Sequence, residues 1–508
     1  MSRYFNNHVW IMHLSLWAIG CAVLWFSWTG FVSSDDEYYV SSGLGWLHHF
    51  PFVAPGFGEI RAAVGIPMAL SFGLLGESEF SAVLSTILFY LGTLSLTLHL
   101  LSRVLPYGAA FVAAGTLATV PLLAIHSTIP NADLPELFFV AVSFTLFWTA
   151  CQRPHPWRLL ILAGISAALA FSAHEVSLGL LVFYGLLFVI GYGIPRRQYW
   201  VMAIGFISMI GIECLYYLVL TGNALYRFTL LTKGAALRDR DDVGFLEFTP
   251  SGTLHIWAPL DPVVMFFTHV HQFALIGFLV IPALWWAFSR ANEQPTAGRN
   301  LARLLAALGL VWLFFAAFAL TNQKLLPRYY IVSAYCFVLT IAIWAAEEIW
   351  RHHQKMVLAG VACFVLVGIS GIYMSNTNPR FGERTLVTLL QTTTEAVYTD
   401  PMTAEKIEWY CRWTKTDCGG INGRPPPPGS VYFYNPKNAE RPNRLIKHNE
   451  IRLYNPKPGW KEVWRSEEPR NWLASMIINS GLGSLMPSHI VKKLERTNPP
   501  VVLYKVGD

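Results

Sequence analysis

Eleven apolar segments dominate this sequence, and each approaches the roughly 20 residues that an α-helix needs to cross the hydrocarbon core of a bilayer. Their approximate limits are 9–31, 81–102, 108–126, 133–151, 158–174, 176–194, 199–221, 263–288, 304–320, 329–349 and 356–374. The first has no small-residue cleavage site after it, so it is predicted to be a retained helix. The pattern predicts an all-α polytopic membrane protein with about eleven transmembrane helices.

The charged residues divide the chain in two. Charged residues make up only 13% of the sequence, whereas a soluble domain has about 25%. Of the 68 charged residues, 32 follow Met374. We therefore predict a transmembrane domain at 1–374 and a soluble C-terminal domain at 375–508. The net charge of +6 is spread over short loops and the tail, which gives no indication of a nucleic-acid partner.

The basic residues of the short loops predict the orientation. With the N-terminus inside, the inner connections contain most of the positive charge, as the positive-inside rule requires. These residues are Arg3, Arg103, Arg153, Arg158, Arg196, Arg197, Arg290, Arg299, Arg303, Arg351 and Lys355. The same orientation places the loop after the first helix, the loop at 222–262, the loop around Lys324 and the tail outside.

The first outer loop, Ser33–Phe80, is too long for a simple connection. It begins with three adjacent acids, Asp35, Asp36 and Glu37, which are either a solvated end of the first helix or part of a functional site. The apolar stretch Ala62–Leu75 is short and contains Pro67. We predict an amphipathic interfacial helix there.

Further acidic and polar residues lie at the outer ends of the predicted helices. Ionisable residues within spans are costly and usually face a protein cavity, so together they predict one polar cavity at the outer face. Each residue also has a structural alternative. Asp133 could cap its helix, and His174 and Glu175 could form a polar turn. Glu213 could make a hydrogen bond between helices. The set is Asn131, Asp133, Glu136, His174, Glu175 and Glu213.

Several cations on the outer side violate the rule that orients the rest of the chain. A bound anion explains them, because Arg offers a planar fork to phosphate oxygens and Lys a compact charge. Contact with outer lipid headgroups is the alternative. The cations are Arg61, Lys233, Arg238, Arg240, Lys324 and Arg328.

Metal-binding and disulfide signals are few. His48 and His49 could join the acidic triplet around a divalent cation, but adjacent histidines without a spaced partner are a weak signal, so no metal ligand is predicted. Cys411 and Cys418 predict a disulfide if the tail is extracytoplasmic. The tail itself predicts a small α/β or mostly irregular domain.

The arrangement resembles the GT-C glycosyltransferases, in the branch of protein O-mannosyltransferases and bacterial lipid A aminoarabinose transferases. The resemblance rests on the acids after the first helix, IPMALSFGLLGESEF, the acid opening the fourth helix, the Y..LTGNALYR run beginning at Tyr217, and K...RYY before the tenth helix. It covers about residues 10–350, and it implies that 1–374 is the transmembrane catalytic domain and 375–508 an extracytoplasmic C-terminal domain. It implies an inverting transferase that moves a sugar from a polyprenyl-phosphate donor to a lipid, glycan or protein acceptor, at the periplasmic side of a bacterial inner membrane.

The resemblance also implies roles for individual residues. Asp36 falls on the catalytic acid of the first loop and would act as general base. Because Asp35 is also acidic, the alignment with that catalytic position is open by one residue. Asp133 falls on the second acidic position, and Glu37 adjoins the base. The implied donor-binding residues are Arg61, Lys324, Arg328, Tyr329, His174 and Glu175. Where relatives often have His-Trp ahead of the arginine, this chain has Gly58 and Glu59, which leaves the acceptor and a possible divalent cation open.

A different class also fits eleven helices with buried charges. A transporter or flippase of lipid-linked glycans, or a glycan polymerase, would have the same composition. Transporters usually contain internal repeats with paired broken helices near the midplane. No such repeat is visible, and the polar residues collect at one face, which favours the transferase.

Overall fold

The computed structural model describes residues 2–236, 261–289, 294–319, 326–375, 378–393, 395–440, 445–469, 472–481 and 497–507, together with 484, 488, 491, 492 and 495. The chain divides into two compact units. Unit 1 comprises Met1–Trp28, Asp35–Leu74 and Ala82–Ser375, and unit 2 comprises Thr29–Ser34, Leu75–Ser81 and Asn376–Asp508. The assignment of catalysis to 1–374 and of an extracytoplasmic location to 375–508 stays a prediction.

Unit 1 is built from helices. They are α1 (Ser2–Ser27), α2 (Asp36–His48), α3 (Ala62–Leu75), α4 (Glu79–Leu101), α5 (Tyr107–Ala118), α6 (Pro121–His126), α7 (Asp133–Ala150), α8 (Trp157–Ala173), α9 (Leu178–Ile190), α10 (Arg196–Thr221), α11 (Tyr226–Ala236), α12 (Asp261–Thr268), α13 (Val270–Phe273), α14 (Ile276–Phe288), α15 (Ala297–Ala319), α16 (Ile331–Trp344) and α17 (Gln354–Ser375). Short 3-10 turns occupy Glu175–Ser177 and Pro327–Tyr330, and a π-helical turn occupies Ala345–Ile349.

Seven helices of the described residues are long and apolar enough to cross a membrane. They are Val9–Ser27, Glu79–Leu101, Asp133–Ala150, Arg196–Thr221, Ala297–Phe318, Pro327–Ile349 and Gln354–Ser375. The four other predicted spans overlap shorter apolar helices at Tyr107–Ala118, Trp157–Ala173, Glu175–Ile190 and Ile276–Phe288. The predicted span at 108–126 is divided between α5 and α6, because the chain leaves the helix at Thr119 and restarts with Pro121 at the first helical position.

Close helix packing brings the ends of several helices of unit 1 together. Helix α8 packs against both α7 and α10, and α15 packs against α16. Gly164 and Gly205 make the α8–α10 approach possible: a Cβ on Gly164 would lie 2.0 Å from the Met202 carbonyl oxygen. Because these helices pack along their lengths, the residues at the ends of α7, α8 and α10 become neighbours.

Two short helices organise the first loop. Helix α2 follows the acidic triplet, and α3 is the predicted helix at Ala62–Leu75, with Pro67 inside it. The two helices meet where a Cβ on Gly65 would lie 2.3 Å from Ser42 Oγ, and Ser42 donates a hydrogen bond to the Glu59 carbonyl at 2.8 Å. This packing fixes the position of Arg61, which lies immediately before α3.

Unit 2 contains a small mixed sheet with helices. Its strands are β1 (Val397–Tyr398), β2 (Ile421–Asn422), β3 (Val431–Tyr434), β4 (Lys461–Ser466) and β5 (Val501–Lys505), in the order β2-β1-β3-β5-β4. β1 runs parallel to β2 and β3, whereas β5 is antiparallel to β3 and β4. The helices are α18 (Phe381–Leu390), α19 (Pro401–Thr414), α20 (Pro436–Ala439), α21 (Ile451–Tyr454) and α22 (Trp472–Asn479).

The C-terminal domain is therefore the α/β alternative of the sequence prediction, and the membrane part is all-α as expected. The core of the C-terminal domain includes Tyr432, Tyr434 and Ile446. Asp400 caps α19 by accepting a hydrogen bond from the Thr403 amide at 2.9 Å. Cys411 and Cys418 form the predicted disulfide, with Cα atoms 6.1 Å apart.

Candidate active site

Asp133 lies at the start of α7 with a buried carboxylate, 2% exposed. The capping role considered for it is wrong, because the side chain that accepts from the first turn is Asn131, whose Oδ1 bonds the Leu134 amide at 3.1 Å. Asp133 Oδ1 has no hydrogen-bond partner. Buried polar atoms in proteins are nearly always paired, so this oxygen is available to a ligand.

Glu136 and His174 lie beside Asp133. Glu136 Oε2 is 3.4 Å from His174 Nδ1, and Glu136 Oε1 accepts from Ser177 Oγ at 2.7 Å. One ligand atom from each of Asp133, Glu136 and His174 lies within 4.8 Å of the others. Among the described residues this is the one such group able to hold a metal ion, and two carboxylates with one imidazole suit Mn²⁺ or Zn²⁺.

The alternative metal set in the first loop is not assembled. His48 and His49 are exposed at the end of α2 opposite to Asp36. His48 lies twelve helical steps after Asp36, which is about 18 Å at the α-helical rise. The two histidines therefore do not join the acidic triplet.

Arg61 is buried between a carboxylate and a tyrosine. Its Nη2 donates to Glu175 Oε2 at 2.9 Å, and its Nη1 donates to the Tyr39 hydroxyl. Burial alone would lower the pKa of Arg61, but Glu175 and Tyr39 raise it, so the guanidinium remains charged. Burial raises the pKa of Tyr39 to about 12, which keeps its hydroxyl protonated. Arg61 Nε has no hydrogen-bond partner.

Arg227, which the sequence prediction missed, is buried in the same region. It contacts Glu175 Oε1 at 3.2 Å and Glu213 Oε1 at 3.0 Å. Glu213 thus accepts a hydrogen bond from an arginine of the next helix, which is the structural alternative given for it in the sequence analysis. Two signals could have identified Arg227: it ends the LTGNALYR run, and it is a cation on the predicted outer side, as Arg61 is.

The acidic triplet separates into three environments. Asp35 Oδ2 lies 2.5 Å from Arg328 Nη2, and both side chains are partly exposed. Asp36 is the first residue of α2 and is 2% exposed. Glu37 follows it, at intermediate exposure.

Tyr329 connects Arg328 to the candidate metal ligands Asp133, Glu136 and His174. Its ring stacks on the His174 ring, with centroids 5.9 Å apart and an interplanar angle of 23°. Arg328 Cζ lies 5.7 Å from the centre of the same ring. Trp312 Nε1 donates to the Tyr329 carbonyl at 3.0 Å, which anchors the 3-10 turn that holds both residues.

Electrostatic coupling indicates that these groups surround one region. The Tyr39 hydroxyl is influenced by the charges of Arg61, Arg328, Asp35 and Asp133. Unit 1 thus brings together most of the predicted site residues from positions up to 293 residues apart. Lys324, Arg238, Arg240 and the side chain of Lys233 lie outside the described residues.

Comparisons with known proteins agree with this architecture. The sequence model of the dolichyl-phosphate-mannose-protein mannosyltransferase family matches residues 66–217, less than a third of the chain. ArnT from Cupriavidus metallidurans, in a crystal structure bound to undecaprenyl phosphate, has 13% sequence identity and a TM-score of 0.51, over 88% of this chain and 99% of that one.

The archaeal oligosaccharyltransferase AglB from Archaeoglobus fulgidus, in complex with an inhibitory peptide and a dolichol-phosphate, has 10% identity and a TM-score of 0.50, over 97% of this chain and 88% of that one. Sequence identities this low show only that the folds are similar. None of the curated protein sequences compared with the chain matches it.

The chain has a GT-C-like fold, the fold of the membrane glycosyltransferases ArnT and AglB. The fold class predicted from the sequence is therefore confirmed. The family match runs from within α3 into α10. It includes Asp133, His174 and Glu175, whereas Asp36, Arg61 and Arg328 lie outside the match.

Proposed function

We propose that this chain is a GT-C glycosyltransferase that moves a sugar from a polyprenyl-phosphate donor to a lipid, glycan or protein acceptor at the outer face of the membrane, with inversion at the anomeric carbon. The observation that carries the proposal is a pair of buried, unpartnered polar atoms in one charged region: the Arg61 Nε donor and the Asp133 Oδ1 acceptor. A sugar phosphate supplies what each lacks, an anionic oxygen for the guanidinium and hydroxyl groups for the carboxylate.

The similar structures support the donor class. ArnT is bound to undecaprenyl phosphate and AglB to a dolichol-phosphate. A lipid-linked donor keeps its chain in the bilayer and presents its phosphate at the interface, so no nucleotide-binding domain is needed. The predicted donor-binding residues are Arg61, Lys324, Arg328, Tyr329, His174 and Glu175.

In the proposed reaction, Asp36 removes the proton from the acceptor hydroxyl or amine. The acceptor atom attacks the anomeric carbon from the side opposite to the phosphate, and the bond between that carbon and the phosphate oxygen breaks. Negative charge grows on the departing polyprenyl phosphate, where Arg61 and Arg328 stabilise it. A single displacement inverts the configuration at the anomeric carbon.

Asp133 is the second acid of the proposed site. Its orphan oxygen and its closeness to Glu136 and His174 fit a divalent cation. When bound, such a cation would supply additional positive charge near the phosphate. In its absence the Asp133 carboxylate would still orient sugar hydroxyl groups by accepting their hydrogen bonds.

The proposed location is the inner membrane of a bacterium, with the site and the C-terminal domain on the periplasmic side. The basic inner loops and the Cys411–Cys418 disulfide support this orientation. A reporter that is active only outside the cytoplasm should work when it is fused after Met374 and fail when it is inserted in the 290–303 loop. The opposite result would invert the topology.

The function is tested with purified protein in lipid nanodiscs, a polyprenyl phosphate carrying a radiolabelled sugar, and a membrane extract as the source of acceptors. We expect the label to leave the donor lipid and to appear on an acceptor, and Arg61→Ala to suppress this transfer. Label that remains on the donor at every sugar and chain length tried would contradict the proposal.

A further inference from the structure

Arg227 occupies a more buried position than Arg61, the predicted phosphate ligand. Its side chain, from α11, is 2% exposed and reaches four other parts of unit 1. Nη1 contacts Glu213 Oε1 at 3.0 Å and the Ile60 carbonyl at 3.4 Å. Nη2 contacts the Phe171 carbonyl at 2.9 Å and Glu175 Oε1 at 3.2 Å. A planar guanidinium makes these bonds together, which an ammonium group cannot do.

Arg227 is linked to Arg61 by two routes. The first is Glu175, whose carboxylate divides its oxygens between them: Oε1 contacts Arg227 and Oε2 contacts Arg61. The second is the backbone, because Arg227 holds the carbonyl of Ile60, the residue before Arg61. A change at Arg227 therefore affects both the carboxylate that holds the Arg61 side chain and the peptide from which that side chain starts.

The surrounding hydrogen bonds join the same segments. The Tyr226 hydroxyl, next to Arg227 in the chain, donates to the Ala54 carbonyl at 2.9 Å. The Tyr216 hydroxyl on α10 donates to the Phe52 carbonyl at 2.7 Å. Ala54 and Ile60 pack with Tyr217 in one apolar cluster. The first loop is thus attached to α10 and α11 at several points. Arg227 makes one of these attachments through a charged side chain.

We propose that Arg227 is a positioning residue for the donor site: it fixes Glu175 and the Ile60–Arg61 peptide so that Arg61 presents its guanidinium to the donor phosphate. This role rests on the proposed function. The Nε atoms of Arg61 and Arg227 both lack a hydrogen-bond partner. Arg227 directs four Nη contacts to Glu175, Glu213 and two carbonyls, whereas Arg61 makes two. Arg61 therefore has more donor capacity left for a phosphate, and Arg227 is assigned the positioning role. Glu213 balances the second positive charge, which lets two arginines share one carboxylate in a buried site.

The test is a double-mutant cycle on kcat and donor KM, using Arg61→Ala, Arg227→Lys and the double variant. We expect Arg227→Lys to raise the donor KM and to lower kcat/KM about tenfold, because a misplaced Arg61 loses phosphate contacts. In the Arg61→Ala background the same change should cost less than about twofold, because no Arg61 remains to be positioned. Equal losses in both backgrounds, or an unchanged donor KM, would overturn the proposal.

Arg303→Lys is the matched control. Arg303 also donates to a carbonyl, that of Ala287 through Nε at 2.6 Å, and it lies outside the candidate site. Its variant should keep the wild-type donor KM. If Arg227→Lys does not fold, Arg227→Gln combined with Glu213→Gln removes both charges and keeps hydrogen-bonding groups, and the same cycle applies. Transfer by the wild type tests the proposed function separately, since absent cycle coupling with an active wild type refutes only the role of Arg227.

Discussion

Asp36→Asn should abolish most of the proposed transfer activity without unfolding the protein. Asparagine keeps the size of the side chain and can still accept hydrogen bonds, but it cannot take a proton from the acceptor. Asp36 is 2% exposed, so bulk water has little access to replace it as the base. General-base catalysis contributes about 10² to 10⁴ in rate, equivalent to about 3 to 5 kcal/mol of transition-state stabilisation.

Asp35→Asn is the matched comparison, because it makes the same change one residue earlier. Asp35 is paired with Arg328, but their side chains are 47% and 26% exposed. Exposed ion pairs contribute roughly 1 kcal/mol or less, so we expect less than about a tenfold loss of activity. The pair of variants therefore separates a base from an exposed partner of an arginine.

The assay is single-turnover transfer from saturating radiolabelled polyprenyl-phosphate sugar, so that a change in the chemical step is not hidden by product release. Donor binding and monodispersity in detergent are measured in parallel and should stay close to wild type for both variants. A large loss in Asp35→Asn with an active Asp36→Asn would move the base by one residue. Two active variants would refute a catalytic role for the acidic triplet.

Three further outcomes are expected. Thiol labelling of denatured, non-reduced protein should miss Cys411 and Cys418 and reach both after reduction; labelling before reduction would contradict the disulfide. Burial raises the pKa of the Asp400 carboxyl from 3.8 to about 6. The contribution of Asp400 to the stability of unit 2 should therefore be complete below pH 3.8 and be lost as the pH rises through 6. The expected loss in the free energy of unfolding is on the order of 2 to 3 kcal/mol. Asp400→Asn should remove that slope in hydrogen exchange of α19, and an unchanged slope would contradict this cause. After chelation, Mn²⁺ titration should show one site per chain that Glu136→Gln weakens at least about tenfold; no saturable binding would argue against a cation at His174.

Sequence periodicity and charge were sufficient for the architecture of unit 1. Long apolar runs can bury their backbone groups in a bilayer only as helices, and the loss of such runs after Met374 marked where that constraint ends. The interfacial stretch Ala62–Leu75 was predicted with the bounds that α3 has. The small sheet of unit 2 was foreseen only as one alternative, since strands of two to six residues leave little periodicity to detect.

The role of each individual polar residue was harder to predict than the presence of a polar region. From the sequence, Asp133 was equally consistent with a helix cap and with a site residue. The Asn131–Leu134 bond excludes the cap, and the site role stays a prediction. Lone outer-face carboxylates such as Glu213 gave no indication of their partners. Arg227 was passed over because its partners, Glu175 and the Ile60 carbonyl, are distant in sequence.

The sequence by itself determined that this chain is a helical membrane protein with charged groups at one face, because hydropathy and charge are local properties that every backbone conformation must satisfy. Tertiary structure alone decided which charges meet. Asp35 and Arg328 are 293 residues apart, and Arg61 and Glu175 are 114 apart. Their contacts depend on the packing of α7, α8 and α10 and on the attachment of the first loop to α11. Ion pairs and orphaned atoms are products of that packing, since the spacing of residues along a chain does not specify which helix ends become neighbours.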